Sequence, residues 1–130
     1  MLYDAHSIRS RVPRLFEGEL PQFNIDTNNG ASCDAALTVA VGKICAASTF
    51  THVTNGRFRG GWITRHYGKP RQGVHALQME LAMRGYLHEP ETVNPHTWPA
   101  TLEDAHAATL RVALRDIFDT CVKFATGKRP

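Results

Sequence analysis

The sequence predicts an α/β fold, in which a sheet carries helices on its faces. Two short runs, Leu2–His6 and Val74–Leu81, have the apolar character of buried strands. Two longer segments, from about Asp34 to Ala47 and from Thr101 to Ala125, place apolar residues three and four positions apart, which is the spacing of one helix face. The 130 residues suit a single domain, and we assign residues 1–130 to it.

The first half of the chain is expected to alternate short strands with turns and one helix. The run Leu2–His6 predicts the first strand, and Phe23–Ile25 can form a second, short one after a loop rich in proline and glycine. Ser32 is expected to cap the helix that begins at Asp34, because its hydroxyl can accept from a free N–H of the first turn. Phe50–Thr54 then predicts another short strand.

The second half begins with a glycine-rich loop, in which Trp62–Thr64 predicts a short strand. Val74–Leu81 alternates between two faces, one of which carries Gln78 and Glu80. A helix is the alternative for this segment, because Leu, Met, Glu and Ala are good helix formers. Thr101 and Asp104 have the spacing of a capping box and predict the start of the long C-terminal helix.

Composition narrows the class of protein. The chain has 15 basic and 12 acidic residues, a formal net charge of +3, and 42% hydrophobic residues. This modest excess, without a recognisable motif, argues against a nucleic-acid-binding module. Three cysteines without a paired motif predict buried free thiols in a reducing compartment. No run approaches the ~18 apolar residues of a membrane helix, and we expect a cytoplasmic protein without membrane or nucleic-acid partners.

Two residues stand out as candidates for chemistry. His6 ends the first apolar run beside Asp4, and a histidine at a strand end can bind a metal when a carboxylate orients it. The alternative for His6 is a local hydrogen bond with no functional role. Glu80 lies within an apolar strand, and burial would raise its pKa towards the range of a general base. The alternative for Glu80 is an edge strand on which it faces water.

A second group of candidates lies in the glycine-rich loop. Arg65 can bind a carboxylate through its guanidinium, and His66 can hydrogen-bond a reacting group. The alternative is a solvated loop without function. The glycines of this loop lack the spacing of a dinucleotide-binding fingerprint, and they are better explained by tight turns.

Three segments carry a resemblance to a known family. They are DAHSIRS (4–10), NIDTNNGASC (24–33) and residues 55–86, above all GRFRGGWITRHYG and GVHALQMEL. Together they resemble the N-formylglutamate amidohydrolase (N-formylglutamate deformylase) family. The resemblance implies part of a three-layer α/β/α sheet of the zinc-hydrolase type, related to carboxypeptidases and aspartoacylases. It also implies zinc as cofactor and hydrolysis of N-formyl-L-glutamate to formate and L-glutamate in histidine degradation.

The resemblance also implies roles for five residues. His6 would be a zinc ligand, and Glu80 would be the catalytic carboxylate that activates the zinc-bound water. Arg65, with His66 nearby and Arg57 as a further candidate, would hold the carboxylates of a small anionic substrate.

In this family, the other zinc ligands come from an N-terminal half that precedes the DxHS segment. The resemblance therefore implies that this chain corresponds to a C-terminal half, with an open sheet edge and an uncovered apolar face. We expect it to be weakly active or inactive alone, and to form a homo-oligomer or to associate with an N-terminal half. The alternative is a non-catalytic module that binds small carboxylates or serves in assembly.

Overall fold

The structure, a computed structural model, describes residues 1–127 and contains a four-stranded mixed sheet. The strands are β1 (Leu2–Ile8), β2 (Phe23–Asp26), β3 (His52–Thr54) and β4 (Ala76–Ala82), in the spatial order β1-β4-β2-β3. β1 runs parallel to β4 and β2 parallel to β3, whereas β2 is antiparallel to β4. The α/β class is confirmed, and the strand interpretation of the segment around β4 is correct.

The apolar face of the sheet packs against two helices, α1 (Ala35–Ala47) and α3 (Asp104–Ala125). Alternate residues of β2 and β4 point towards them and form the core with the buried stripes of both helices. The largest fully buried apolar side chains of this core are Phe23, Ile25, Leu37, Val41, Leu77, Met79, Leu110 and Ile117. Helices α1 and α3 thus cover this face of the sheet.

The three cysteines confirm the predicted buried thiols. Cys33, Cys45 and Cys121 are all free and buried, and all three belong to the same core cluster. Burial raises the pKa of Cys45 to about 12 and that of Cys121 to about 11, because the charged thiolate is poorly solvated there.

The predicted strand at Trp62–Thr64 is wrong, because a short helix, α2 (Trp62–Tyr67), occupies these residues. Gly60 has a φ of +104°, which turns the chain into the helix. Thr64 is fully buried, and its carbonyl accepts from the Gly68 N–H at 3.0 Å. The preference of aromatic and β-branched residues for strands reflects packing on a sheet, and this segment instead forms a helical turn over β4 and β1.

The predicted caps of the two long helices also differ from the structure. Asp34, not Ser32, caps α1 by accepting from the Ala36 N–H at 2.7 Å. Ser32 instead donates its hydroxyl to the carbonyl of Ala76 at 2.8 Å, which ties the turn before α1 to the start of β4. Helix α3 begins after Glu103 without a side-chain cap, so the capping box expected from Thr101 does not form.

The outer edge of β1 is open, since no strand within residues 1–127 pairs with it. Beside this edge, Met1, Phe118 and Val122 expose 38%, 43% and 61% of their surface and form an apolar strip. The open edge agrees with the expectation from sequence. No helix within the described part of the chain is long and apolar enough to cross a membrane.

Candidate functional site

The face of the sheet opposite the core carries two polar rows that run across three strands. In the first row, Asp4 of β1 pairs in register with Gln78 of β4, which pairs with Asp26 of β2. Side chains of paired residues point to the same side of a sheet. The first row therefore presents two carboxylates and the amide between them.

The second row lies two residues further along β4. His6 of β1 pairs with Glu80, and Glu80 pairs with Asn24 of β2. The two candidates for chemistry, 74 positions apart in the sequence, are therefore neighbours on adjacent parallel strands. Both lie two residues before the carboxyl ends of their strands, which is where ligands bind in α/β sheets.

Most of this polar face is buried, which has electrostatic consequences. Asp26 exposes 0% of its surface, Asp4 and Glu80 8% each. Burial, reinforced by the nearby Glu80 charge, raises the pKa of Asp26 to about 7. The pKa of Glu80 is also raised, chiefly by burial, with a smaller opposing effect of His6 and a raising effect of Asp4. A sheet face with carboxyl pKa values raised in this way is suited to proton transfer.

His6 has the geometry of an imidazole oriented by a carboxylate. Its Nε2 lies 2.9 Å from Oδ1 of Asp4, and 47% of its side chain is exposed. Oδ2 of Asp4 is buried without a hydrogen-bond partner among the described residues. This hydrogen bond engages Nε2 and leaves Nδ1 as the ring nitrogen available to a metal. Metal-binding histidines that are oriented by a carboxylate use their two nitrogens in this way.

Glu80 lies on an interior strand, so the alternative of a water-facing edge strand is wrong. Its backbone carbonyl accepts from the Asn24 side chain at 3.0 Å. Its carboxylate makes no hydrogen bond or ion pair within residues 1–127. A buried carboxylate without a fixed partner can exchange a proton with a bound water.

The loop candidates lie around α2. Arg65 and His66 are both exposed; Arg65 donates to the Gly60 carbonyl at 2.7 Å, and His66 stacks on Trp62 with ring centroids 4.2 Å apart. Neither contacts His6 or Glu80 by a hydrogen bond in the described structure. Arg57 lies elsewhere, since its Nε donates to the Leu15 carbonyl at 2.7 Å.

The site does not by itself complete a zinc centre. A catalytic zinc needs about three protein ligands, and residues 1–127 contain no group of three His, Cys, Asp or Glu side chains that could hold a metal ion. His6 fits the role of a single ligand, because Asp4 orients it. The remaining ligands would have to come from outside the described residues.

A depression of about 830 Å³, lined by side chains of both charges, adjoins the carboxyl ends of β1 and β4. Arg9, Arg11 and Arg84 line it together with His88 and His106. Glu19, Glu89 and Glu91 also line it, so three carboxylates balance the three guanidinium groups. Glu19 lies 3.4 Å from Arg11 and 3.9 Å from Arg84. Neither His6 nor Glu80 lines the depression, so it is a separate feature of the same sheet edge.

Sequence reasoning missed two residues of the polar face, Asn24 and Asp26. It placed Gln78 on the same face as Glu80 but gave Gln78 no role. The signal was present, because Phe23–Asp26 alternates apolar and polar residues in the same way as β4 does. This alternation indicates a strand with one polar face, and the antiparallel register then brings Asp26 opposite Gln78.

The fold and the polar face define an α/β protein with a candidate acid–base site at the carboxyl edge of its parallel strand pair. The comparison with protein families makes this assignment specific. The chain belongs to the N-formylglutamate amidohydrolase family, whose model matches residues 1–87. This range contains both polar rows and the α2 loop.

Individual relatives agree with the family assignment. N-formylglutamate deformylase of Pseudomonas aeruginosa is 52% identical over 118 residues, which cover 90% of this chain and 43% of the relative. The Pseudomonas putida protein of the same name is 48% identical over 129 residues, covering 98% of this chain and 46% of that protein. The chain thus spans less than half the length of these curated relatives.

A solved structure supports the fold. The crystal structure of N-formylglutamate amidohydrolase from Ralstonia eutropha JMP134 superimposes with a TM-score of 0.68 at 18% identity. The match covers 98% of this chain and 42% of the other one. The four-stranded sheet and its helices therefore correspond to part of a larger fold in that protein.

Proposed function

We propose that this chain takes part in the hydrolysis of N-formyl-L-glutamate to formate and L-glutamate, a reaction of histidine degradation in the cytoplasm. The observation that carries the proposal is the pairing of His6 with the buried Glu80 on one sheet face. The substrate is inferred from relatives about half identical to this chain, which are N-formylglutamate deformylases.

The proposed role of Glu80 is that of a general base. Its carboxylate takes a proton from a water molecule while the water oxygen forms a bond to the formyl carbon. The C–N bond of the formamide then breaks, and the proton passes to the nitrogen of the departing glutamate. The raised pKa of Glu80 favours this role, because a base with a pKa nearer to neutrality also returns the proton readily.

The proposed cofactor is zinc, bound through His6 and through ligands from outside the described residues. When bound, zinc would supply Lewis-acid chemistry. The proposed fold relationship is to the zinc hydrolases of the carboxypeptidase type. Equilibrium dialysis with zinc tests the role of His6, with the chain mixed with the part of the Pseudomonas aeruginosa relative that lies outside the match. His6→Ala should lower zinc binding, whereas His96→Ala, which removes an exposed histidine, should not.

Arg65 and His66 are proposed to hold the carboxylates of the substrate, with Arg57 as a weaker contributor. Arg65 is exposed and has no carboxylate partner among residues 1–127. Guanidinium groups bind carboxylates through paired hydrogen bonds, so a dianionic substrate fits this loop. Arg57 is the weaker candidate because it is engaged with the Leu15 carbonyl and lies 5.5 Å from the Phe58 ring centroid.

We further propose that full activity requires a partner, either an N-terminal half or a second copy of the chain. The open edge of β1 and the apolar strip of Met1, Phe118 and Val122 support this proposal. An unpaired strand edge beside exposed apolar side chains favours association.

The experiment is a formate-release assay with N-formyl-L-glutamate and added zinc. The chain is tested alone and with the part of the Pseudomonas aeruginosa relative that lies outside the match. We expect little formate from the chain alone and more from the mixture. Glu80→Gln should lower the rate by roughly 10²–10⁴-fold, whereas Glu17→Gln, at an exposed position, should not. An unchanged rate in Glu80→Gln would contradict the assigned role.

A second candidate function is metal-free binding of small carboxylates, and the exposed Arg65 favours it. In that case the chain binds L-glutamate or N-formyl-L-glutamate without zinc and releases no formate under any condition. Arg65→Ala abolishes the binding, and Arg115→Ala, at an exposed position of α3, serves as the matched control. Calorimetric titration of both variants separates this function from the hydrolase.

A further inference from the structure

Two consecutive hydrogen bonds, the first buried and the second partly buried, link β2 through β4 to the start of α2. Oδ2 of Asp26 accepts from Nε2 of Gln78 at 3.3 Å, and Oε1 of Gln78 accepts from the Gly61 N–H at 2.7 Å. Asp26 exposes 0% and Gln78 5% of its surface. The two ends of one side-chain amide thus connect a buried carboxylate with the backbone that enters the helix.

The start of α2 depends on this contact. Gly61 is the residue before the helix, and no side chain of its own segment caps it. The first N–H groups of a helix have no partner within the helix, and Gln78 satisfies the one at Gly61 from the neighbouring strand. A Cβ at Gly61 would lie 3.2 Å from Oε1 of Gln78, so the close approach favours glycine.

The backbone of Gly60 and Gly61, the Gly60–Gly61 corner, also makes hydrogen bonds with Arg65. The carbonyl of Gly60 accepts from Nη1 of Arg65 at 2.7 Å, and the Arg65 N–H donates to the Gly61 carbonyl at 3.2 Å. Both peptide groups of the Gly60–Gly61 corner therefore restrain Arg65. A displacement of this corner would move the guanidinium with it.

Asp26 decides which way the Gln78 amide faces. A rotation of the amide by half a turn would place its NH₂ group against the Gly61 N–H, donor against donor. Oδ2 of Asp26 prevents this, because it requires a donor on its own side. A proton on the unpartnered Oδ1 of Asp26 would leave Oδ2 as an acceptor and would preserve this orientation.

We propose that Asp26 is a positioning residue, which fixes the amide of Gln78, anchors the Gly60–Gly61 corner and so places Arg65 beside the polar face. The role of Arg65 in holding substrate rests on the proposed function. The anchoring of α2 does not, and it is tested separately.

The structural test is amide hydrogen exchange of the segment Gly61–Tyr67. Asp26→Leu removes the acceptor, and we expect exchange in this segment to accelerate by about tenfold, as for the loss of one buried hydrogen bond. Asp26→Asn keeps an acceptor oxygen, so exchange should stay within about threefold of the original chain. Helix α1 serves as the internal control, because it does not contact the amide of Gln78.

Two outcomes would overturn the proposal. One is unchanged exchange of α2 in Asp26→Leu; the other is equal acceleration of α1 and α2, which indicates a general loss of stability. If Asp26→Leu does not fold, Gln78→Met carries the same prediction from the other end of the amide. Equal exchange of α2 in Gln78→Met and in the original chain then overturns the proposal.

The substrate arm of the test uses N-formyl-L-glutamate with the chain and its complementing partner. Asp26→Leu should raise KM more than it lowers kcat, and Asp26→Asn should restore KM. If the original chain releases no formate, the proposed function fails while the exchange result still decides the anchoring role. If exchange responds as expected but KM is unchanged, Asp26 positions α2 without affecting substrate, and the link to Arg65 is refuted.

Discussion

Replacing Asp26 by asparagine should make the stability of this chain less dependent on pH. Burial and the Glu80 charge raise the pKa of Asp26 from 3.8 to about 7. The folded chain therefore binds this proton more tightly than the unfolded chain does between these values. The resulting stability is fully present below about pH 4 and is lost as the pH rises through 7.

The size of the effect follows from the two pKa values. Each pKa unit corresponds to about 1.4 kcal/mol, so the shift from 3.8 to about 7 corresponds to about 4 kcal/mol. Asp26 exposes 0% of its surface, which limits the screening of this term by solvent. The free energy of unfolding of a natural domain is only about 5–15 kcal/mol, so the contribution of Asp26 is a large fraction of it. The substituted asparagine keeps the shape of the side chain and removes the ionisation.

The assay is urea unfolding followed by circular dichroism at pH 5, 6, 7 and 8. The original chain should lose stability over this range, and Asp26→Asn should lose about 2–4 kcal/mol less. A smaller slope should remain in the variant, since the raised pKa of Glu80 acts with the same sign. Asp119→Asn, at an exposed position of α3, is the control and should follow the original chain. Equal slopes for Asp26→Asn and the original chain would refute the reasoning.

Three further substitutions test the packing, each by its urea-unfolding free energy. Leu37→Ala empties a fully buried position of α1 and should cost about 2–5 kcal/mol. Gly68→Ala would press a Cβ against Cβ of Ser32 and place it 2.7 Å from the Thr64 carbonyl oxygen, so α2 must shift and stability should fall by about 1–3 kcal/mol. Ser32→Ala leaves the Ala76 carbonyl without its 2.8 Å hydroxyl donor and should cost about 1 kcal/mol.

Matched controls exist for these packing predictions. Gly42→Ala adds a Cβ with no atom within 4 Å in the middle of α1, and it should be neutral or stabilising by up to about 1 kcal/mol. Val39→Ala truncates a side chain of the same helix that is 55% exposed. A loss at Val39 as large as that at Leu37 would contradict the assignment of the core, and a Gly68→Ala chain as stable as Gly42→Ala would contradict the close contact of α2.

The strands and long helices of this chain could be predicted because their periodic patterns are long or regular. The alternation of Val74–Leu81 predicted the face that carries Glu80. The sequence left open whether Glu80 is buried or faces water on an edge strand, and the position of β4 inside the sheet decided this. The stripe of apolar residues in α3 predicted its extent to within a few residues at the start and to Ala125 at the end.

The predictions that were wrong concern residues whose partners lie far away in the sequence. Trp62–Thr64 has the residue types of a strand, but no strand of the described chain lies beside it to pair with. Ser32 has the residue type of a helix cap, but its hydroxyl is used by Ala76 of β4. Asp26 drew no notice because its partner Gln78, 52 positions further on, is set by the register of two strands. The few residues on either side of each position do not determine these structures and hydrogen-bond partners.

The three buried cysteines make this chain a reporter of its own unfolding. The thiolate is the form that attacks an alkylating reagent, and the raised pKa values of Cys45 and Cys121 keep that form scarce in the folded state. Cys45 lies on α1 and Cys121 on α3, and both thiols are covered by the same core. The rate of their alkylation therefore measures how often the two helices separate from the sheet, without any added label.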